Sequence, residues 1–415
     1  MALIIQKFGG TSVADINRIC ETAKLVVAEK EKGNDVIVVV SAMSGVTSQL
    51  VSYTNQVSKL LEESELAEYD AIISSGEQVT AGLLALKLQD LGYKSRSFLS
   101  WQAEIQTDHI HAKSRIENIN KDVLLKHVKE GFIPVIAGFQ GVNKYNRIST
   151  MGRGGSDTSA VAVAAALNAQ RCDIYTDVTG IFTADPRIVP KARKLEKLGY
   201  EEVIEMASLG AKMLQIRSVE MAIKHQVKLQ VLSSFTPESG SLLVKDEEIM
   251  ERRLITAIAH DTSEARVTLV DVDNIPGVGA EIFKPLADQA INIDMIIQNI
   301  HIDETKATVT FTLNEEDLDR ALKAIKETAA QKNISYKEII ANKDVAKVSI
   351  VGVGMKQNSG IAQRVFQVLA NKKINIMAIT TSEIKISILI PKEYTELAVR
   401  ILHDEFALDK QTQNI

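Results

Sequence analysis

The chain has 415 residues, 45% hydrophobic and 24% charged, with a formal net charge of -5, the composition of an ordinary globular protein of about three domains. A slightly acidic chain without a long Lys/Arg cluster is not built to bind nucleic acid, which demands a concentrated positive footprint. No apolar run approaches bilayer-spanning length, so no membrane partner is expected either.

The opening Met1-Ala2-Leu3-Ile4-Ile5 is shorter than a signal core, and Lys7 follows it instead of preceding it, so a cytoplasmic location is expected. From residue 3 to 235, short apolar runs alternate with helical patterns, the signature of buried parallel strands joined by crossover helices. In chain order the spacing predicts strands at 3–8 and 36–41, helices at 47–61 and 78–91, and a strand at 133–138. A helix at 156–167, a strand at 173–177, a helix at 218–224 and a strand at 229–234 follow. The turn Pro237-Glu238-Ser239-Gly240 and the charged stretch 245–253 then close an α/β domain placed at 1–245. Cys20 and Cys172 stand too far apart for a metal-like spacing, so neither a disulfide framework nor a metal site is expected.

The remainder repeats itself. Ala265-Arg266-Val267-Thr268-Leu269-Val270 aligns with Ala346-Lys347-Val348-Ser349-Ile350-Val351. Phe283, Leu286, Ala287, Ile291, Asn292 and Ile293 align with Phe366, Leu369, Ala370, Ile374, Asn375 and Ile376, more ordered matches than chance supplies. Each copy reads strand, glycine turn (Gly277 or Gly360), helix, strand, strand, helix, which is most of a βαββαβ unit. Copy one finds a last strand in 334–340. Copy two runs into the polar tail 409–414 without one, so a strand at 254–259 is predicted to pair with it. The first copy, 264–341, is then an insertion within the second, 252–261 plus 342–409.

Three clusters carry chemistry. Lys7-Phe8-Gly9-Gly10-Thr11-Ser12 follows a strand and precedes a helix with Ile16, Ile19, Ala23 and Val26 on one face. Ser12 with Asp15 fits a capping box, which would aim the Gly9 to Thr11 amides at an anion, with Lys7 adding a full positive charge. Met151-Gly152-Arg153-Gly154-Gly155-Ser156-Asp157-Thr158 also precedes an apolar helix: its glycines free backbone amides, Arg153 can clasp a carboxylate or phosphate, and Ser156 and Asp157 fall at cap positions. The third, Tyr175-Thr176-Asp177-Val178-Thr179-Gly180-Ile181-Phe182-Thr183-Ala184-Asp185-Pro186-Arg187, leaves a strand as a polar loop, where open α/β sheets bind ligands. No G-x-x-x-x-G-K-[ST] loop is present, and Gly352-Val353-Gly354 has Gln357 where a dinucleotide fingerprint needs glycine.

These clusters, in this order, resemble the amino acid kinase family, and along nearly the whole chain its aspartate kinases. Lys7-Phe8-Gly9-Gly10-Thr11-Ser12-Val13, Gly138-Phe139-Gln140-Gly141 and Gly152-Arg153-Gly154-Gly155-Ser156-Asp157 carry the likeness, and the repeat resembles paired ACT domains. The resemblance implies a parallel-sheet α/β kinase sandwich followed by two ferredoxin-like βαββαβ domains. It implies transfer of the ATP γ-phosphate to the side-chain carboxylate of L-aspartate, with Mg²⁺ riding on the nucleotide, as the first step toward lysine, threonine and methionine. Lys7 and Asp157 would act on the moving phosphoryl group. Lys7, Phe8, Gly9, Gly10, Ser41, Thr176, Asp177, Phe182, Asp185, Arg187 and Lys212 would bind ATP. Ser41, Thr47, Glu77, Arg153, Gly154 and Ser156 would surround aspartate.

For an amino-acid effector, lysine and/or threonine, the resemblance implicates Gly277, Val278, Ala280, Asn292, Asp294 and Gln298, with Gly360, Asn375, Ile376, Ser382 and Glu383 in copy two. The copies differ at Ile275-Pro276-Gly277 against Asn358-Ser359-Gly360, so equivalent ligand use is not expected. A homo-oligomer through the ACT domains is expected, and Met250 stands where an internal start could yield a shorter regulatory subunit. The alternatives are a related acyl phosphate-forming kinase and a silent amino-acid sensor.

Overall fold

The computed structural model describes residues 1–59, 62–208, 214–245, 248–249, 254–302, 304–332, 335–358 and 360–410. They fall into two compact units. Among the described residues no helix is long and apolar enough to cross a membrane.

The first unit is built on an eight-stranded sheet in the order Lys197–Gly199, Ser241–Val244, Leu229–Ser233, Arg171–Thr176, Leu3–Phe8, Asp35–Val40, Ile133–Ala137, Ser95–Phe98. The six strands from Leu229–Ser233 onward pair in parallel. Their continuous apolar runs follow from burial on both faces: Val36, Ile37, Val38, Val39 and Val40 are all inaccessible. Helix Ile16–Glu31 turns Ile19, Ala23 and Val26 into the same core as Val38 and Leu84, the larger of these side chains contributing about 1.5–3 kcal/mol each on burial. Helix Gly155–Ala166 is buried almost all round because it packs against both the sheet strands and helix Ile216–His225, which its Ala and Val side chains permit.

A small side sheet, ordered Ile116–Ile119, Ile105–Thr107, Gln140–Asn143, Ile148–Thr150, stands apart from the main one. Its last strand leads directly into Met151. The expected capping box at Ser12 is not formed. Asp15 is itself the N-cap and accepts from Arg18 N–H at 2.8 Å, while Ser12 is buried and accepts from Ser234 Oγ at 2.8 Å. Burial between strand ends claims the Ser12 hydroxyl before the helix can use it.

The second unit holds two four-stranded antiparallel sheets. One runs Ile293–Ile300, Lys306–Asn314, Glu264–Asp273, Glu338–Asn342, with helices Val278–Asp288 and Leu318–Lys332. The other runs Ala257–Asp261, Val345–Val351, Lys385–Pro391, Ala378–Thr381, with helices Ile361–Asn371 and Thr395–Glu405. Strand Ala257–Asp261 thus enters one sheet, the chain leaves to build the other, and Val345–Val351 returns beside it. The two sheets meet at an apolar cluster of Met295, Val345, Ala378 and Leu389. The segment Phe182–Arg193 belongs to this unit: Ala184, Ile188 and Val189 share a core with Val365, Leu369 and Leu402, and Thr183 O accepts from Ile258 N–H at 2.8 Å.

Candidate active site

The site lies where the parallel strands end. Lys7 sits opposite Val39 and Ile174 in the register, and the strand ends are tied by Ser41 N–H to Phe8 O at 3.0 Å, Gly138 N–H to Val40 O at 3.0 Å and Gly9 N–H to Tyr175 O at 3.2 Å. A Cβ at Gly9 would stand 3.3 Å from the Lys7 ammonium, so glycine there leaves the lysine room beside the turn. Phe8 points the other way, fully buried and stacked on Tyr175 with ring centroids 4.6 Å apart, which leaves only its backbone at the site.

A cavity of about 470 Å³ opens above these ends. It gathers Lys7, Gly10, Ser41, Thr47, Glu77, Arg153, Gly154, Ser156 and Asp157, residues spread over 150 positions of sequence. Met43, Phe139 and Gln215 also line it and were not singled out as site residues. Phe139 holds a left-handed backbone, φ 71°, with its N–H donated to Ser159 Oγ at 3.0 Å. The Gly138-Phe139-Gln140-Gly141 motif was a signal for it. Gln215 stands in no motif.

Lys7 Nζ lies 2.5 Å from Asp157 Oδ1, both side chains 10% exposed. The two form a close, largely buried ion pair at the strand ends. The expectation that Ser156 and Asp157 cap the helix is corrected. Gly154, in the left-handed region at φ 74°, is the N-cap of Gly155–Ala166, and no side chain caps it. A side chain at Gly154 would collide with Gln215, and with glycine in the cap role Ser156 and Asp157 are left to line the cavity.

Glu77, in the first turn of helix Ser75–Asp90, is 3% exposed. Its Oε1 accepts from Ala42 N–H at 3.0 Å, while Oε2 is buried without a partner among the described residues. Burial pushes its pKa up to about 7, against the hydrogen bonds from Ala42 N–H and its own N–H. Arg153 is exposed and makes no ion pair or hydrogen bond among the described residues. The cavity therefore offers a buried acid in want of a cation, a free guanidinium in want of an anion, and a lysine–aspartate pair at the strand ends. Among the described residues no group of three or more His, Cys, Asp or Glu converges to hold a metal.

The amino acid kinase family model matches residues 2–233, more than half of the chain. The chain belongs to the amino acid kinase family. ACT domain models match residues 266–330 and 348–406. The aspartokinase of Pseudomonas aeruginosa is 48% identical over 411 residues, 99% of this chain and 98% of that one. Among solved structures, E. coli aspartokinase III in complex with aspartate and ADP superimposes with a TM-score of 0.78 at 26% identity, covering 98% of this chain and 100% of that chain. The same enzyme in complex with lysine and aspartate gives 0.77 at 26% identity, covering 97% and 99%.

The other expected positions of this amino acid kinase lie as follows. Thr176 ends strand Arg171–Thr176 and donates to Asp177 Oδ1 at 3.0 Å. Phe182, Asp185 and Arg187 lie in the segment of the second unit, where the Arg187 guanidinium, 2.7 Å from Asp185, holds that carboxyl below its usual range. Lys212 and Met250 lie outside the described residues. In the ACT pair, Gly277 and Gly360 are matching left-handed N-caps, φ 94° and 98°, of helices opening with Val278 and Ile361. Ala280 lies in the first turn of the former helix, and Gln298 on strand Ile293–Ile300. Asp294 is committed to Lys347, which also lies 2.7 Å from Glu264. Burial works against the Lys347 charge, but Glu264 and Asp294 outweigh it and raise its pKa. Asn292, Asn375 and Ile376 precede strand segments, and Ser382 and Glu383 lie between strands Ala378–Thr381 and Lys385–Pro391.

Proposed function

We infer that the chain transfers the γ-phosphoryl group of ATP to the side-chain carboxylate of L-aspartate, giving ADP and 4-phospho-L-aspartate. The observation that carries this is the cavity's pairing of a buried, uncompensated Glu77 with an unpaired Arg153 beside the Lys7–Asp157 contact. That pattern complements an amino acid, its ammonium toward Glu77 and a carboxylate toward Arg153, with Ser41, Thr47, Gly154 and Ser156 around it.

The nucleophile is already ionised at neutral pH, so no general base is required. Its oxygen forms the new P–O bond while the bond from the γ-phosphorus to the β–γ bridging oxygen breaks, and the bridging oxygen leaves with ADP. Catalysis then consists of positioning and charge stabilisation. Lys7 steadies the charge on the transferring group, and Asp157 holds the Lys7 ammonium at the strand ends. Phe8, Gly9 and Gly10 offer backbone to the phosphates. Ser41, Thr176, Asp177, Phe182, Asp185, Arg187 and Lys212 are carried over as nucleotide contacts on the family likeness. Mg²⁺ enters on the nucleotide phosphates, which suits an ion that keeps most of its waters.

The domains are read as a kinase domain at 1–245, a first ACT domain at 264–341 and a second at 252–261 plus 342–409. Lysine, threonine or both bind the ACT pair through the positions named above and report on the pathway to lysine, threonine and methionine. The lysine-bound E. coli relative supports that reading. We further read a cytoplasmic homo-oligomer joined through its ACT domains, with a shorter regulatory chain starting near Met250. A coupled ADP-release assay with aspartate, glutamate and acetylglutamate tests the central reading: turnover with aspartate above the others is expected, and turnover that does not depend on aspartate overturns it.

A further inference from the structure

Asp70, in helix Glu63–Ile73, is completely buried and lines no part of the cavity. Both of its carboxylate oxygens are occupied. Thr150 Oγ1 donates at 2.5 Å, His111 Nδ1 lies 2.7 Å away, and Ala112 N–H donates at 3.2 and 3.0 Å. A carboxylate only accepts, so the imidazole proton sits on Nδ1. Leaving a charge this deep without partners would cost several kcal/mol, and charge-assisted bonds of this kind are about twice as strong as neutral ones.

The partners of Asp70 are the roots of the Arg153 loop. Thr150 ends strand Ile148–Thr150, and Met151, Gly152 and Arg153 follow at once. Ser114 donates its N–H and its hydroxyl to Thr150 O at 2.9 and 3.0 Å. Gly152, at φ 74°, lies against Ala112 O, where a Cβ would stand 3.1 Å away. From the far side Arg217 donates to Met151 O at 3.2 Å and Ser114 O at 2.9 Å.

The same acid is also tied to the other end of the proposed aspartate site. Helix Glu63–Ile73 runs through Ser74 into helix Ser75–Asp90, which carries Glu77 in its first turn. Gln140 Nε2 donates to Ser74 O at 2.9 Å, anchoring that junction. One buried carboxylate therefore joins the helix that leads to Glu77 to the loop that carries Arg153.

We propose that Asp70 is a positioning residue that sets the separation between Glu77 and Arg153, and through it the grip of the site on aspartate. This rests on the aspartate site proposed above. Asp70→Asn keeps the shape but places an amide donor against one of the donors now bound. Thr150→Val removes one bond, and Thr150→Ser restores the hydroxyl.

The test measures KM for aspartate and for ATP, and kcat, in the full-length protein. Asp70→Asn and Thr150→Val are expected to raise the aspartate KM by about tenfold or more, because small misplacements of a binding group are felt strongly. The same variants should leave the ATP KM within about twofold, and the loss should be rescued in the Thr150→Ser protein. If Asp70→Asn fails to fold, the Thr150→Val and Thr150→Ser pair decides. Unchanged aspartate KM, or equal losses for both substrates, overturns the proposal. Arg153→Ala separates the two readings: if it raises the aspartate KM while Asp70 and Thr150 variants do not, only this inference fails. If Arg153→Ala also leaves aspartate KM unchanged, the aspartate site and this inference fall together.

Discussion

Above neutral pH, replacing Glu77 with glutamine should make the protein more stable and less able to bind aspartate, an opposition that an ordinary structural glutamate would not show. Glu77 is 3% exposed with one oxygen unpaired, and its pKa rises from 4.5 to about 7. The folded protein therefore holds a proton there that the unfolded chain gives up between those values. Below about 4.5 both states are protonated and Glu77 costs nothing. The cost grows as pH rises and is complete above 7, where it amounts to about 3 kcal/mol. Glutamine keeps the acceptor for Ala42 N–H but buries an unpaired amide, which takes back about 1–3 kcal/mol. That amide cost is the same at every pH, so the pH-dependent part of the difference isolates the charge. Thermal unfolding of wild type and Glu77→Gln at pH 5 and pH 8 reads it. The variant's advantage should be larger at pH 8 than at pH 5 by several degrees, at about 2–4 °C per kcal/mol for a unit of this size. Aspartate should raise the wild-type midpoint at pH 8 and leave the variant unmoved. A stability difference that is the same at both pH values would refute the reasoning.

Other outcomes follow from the same geometry. The wild-type KM for aspartate should rise as pH falls through about 7, by up to about tenfold per pH unit, because only ionised Glu77 accepts the substrate ammonium; initial rates from pH 5.5 to 8.5 measure it. Lys7→Ala should lower kcat by about 10²–10³ while circular dichroism stays near wild type, and near-normal turnover would remove its assigned role. Lys347→Met strands Glu264 as a buried charge without its 2.7 Å partner and should destabilise the second unit by about 3–5 kcal/mol. Adding Glu264→Leu should recover much of that loss in urea unfolding of the full chain. Calorimetry should detect lysine or threonine binding that Gln298→Ala or Asn375→Ala weakens, and no binding of either amino acid would sink the effector reading.

The elements legible in the sequence are those that physical burial writes most plainly. Strands Asp35–Val40 and Ile133–Ala137 are enclosed on both faces and read as unbroken apolar runs. The two antiparallel sheets are legible as a repeat whose glycine turns recur at Gly277 and Gly360. Strand Ser95–Phe98, with two serines and an arginine in four residues, carries no such signal, and neither do the three- and four-residue strands of the side sheet. Ser95–Phe98 is held by Ile133–Ala137 and Ile105–Thr107 by Gln140–Asn143, partners distant in sequence. At the site, Lys7, Arg153 and Asp157 announce themselves by glycine-rich surroundings. Glu77 does not: an acid in the first turn of a helix ordinarily faces water, and only the tertiary packing that buries it turns it into a binding group. Asp70 is invisible for the same reason, its partners lying 41, 42 and 80 residues away. Ser12 reads as a helix cap because the capping box is a local pattern, and the burial that claims its hydroxyl is not local.

The central claim is that the cavity at the strand ends forms an acyl phosphate on aspartate, and hydroxylamine trapping addresses it without intermediaries. With ATP, Mg²⁺ and L-aspartate, hydroxylamine should convert the product to the β-hydroxamate of aspartate in amounts equal to the ADP released, and Lys7→Ala should slow both by the same factor. ADP release without aspartyl hydroxamate, or a hydroxamate formed in preference from glutamate, would contradict the account.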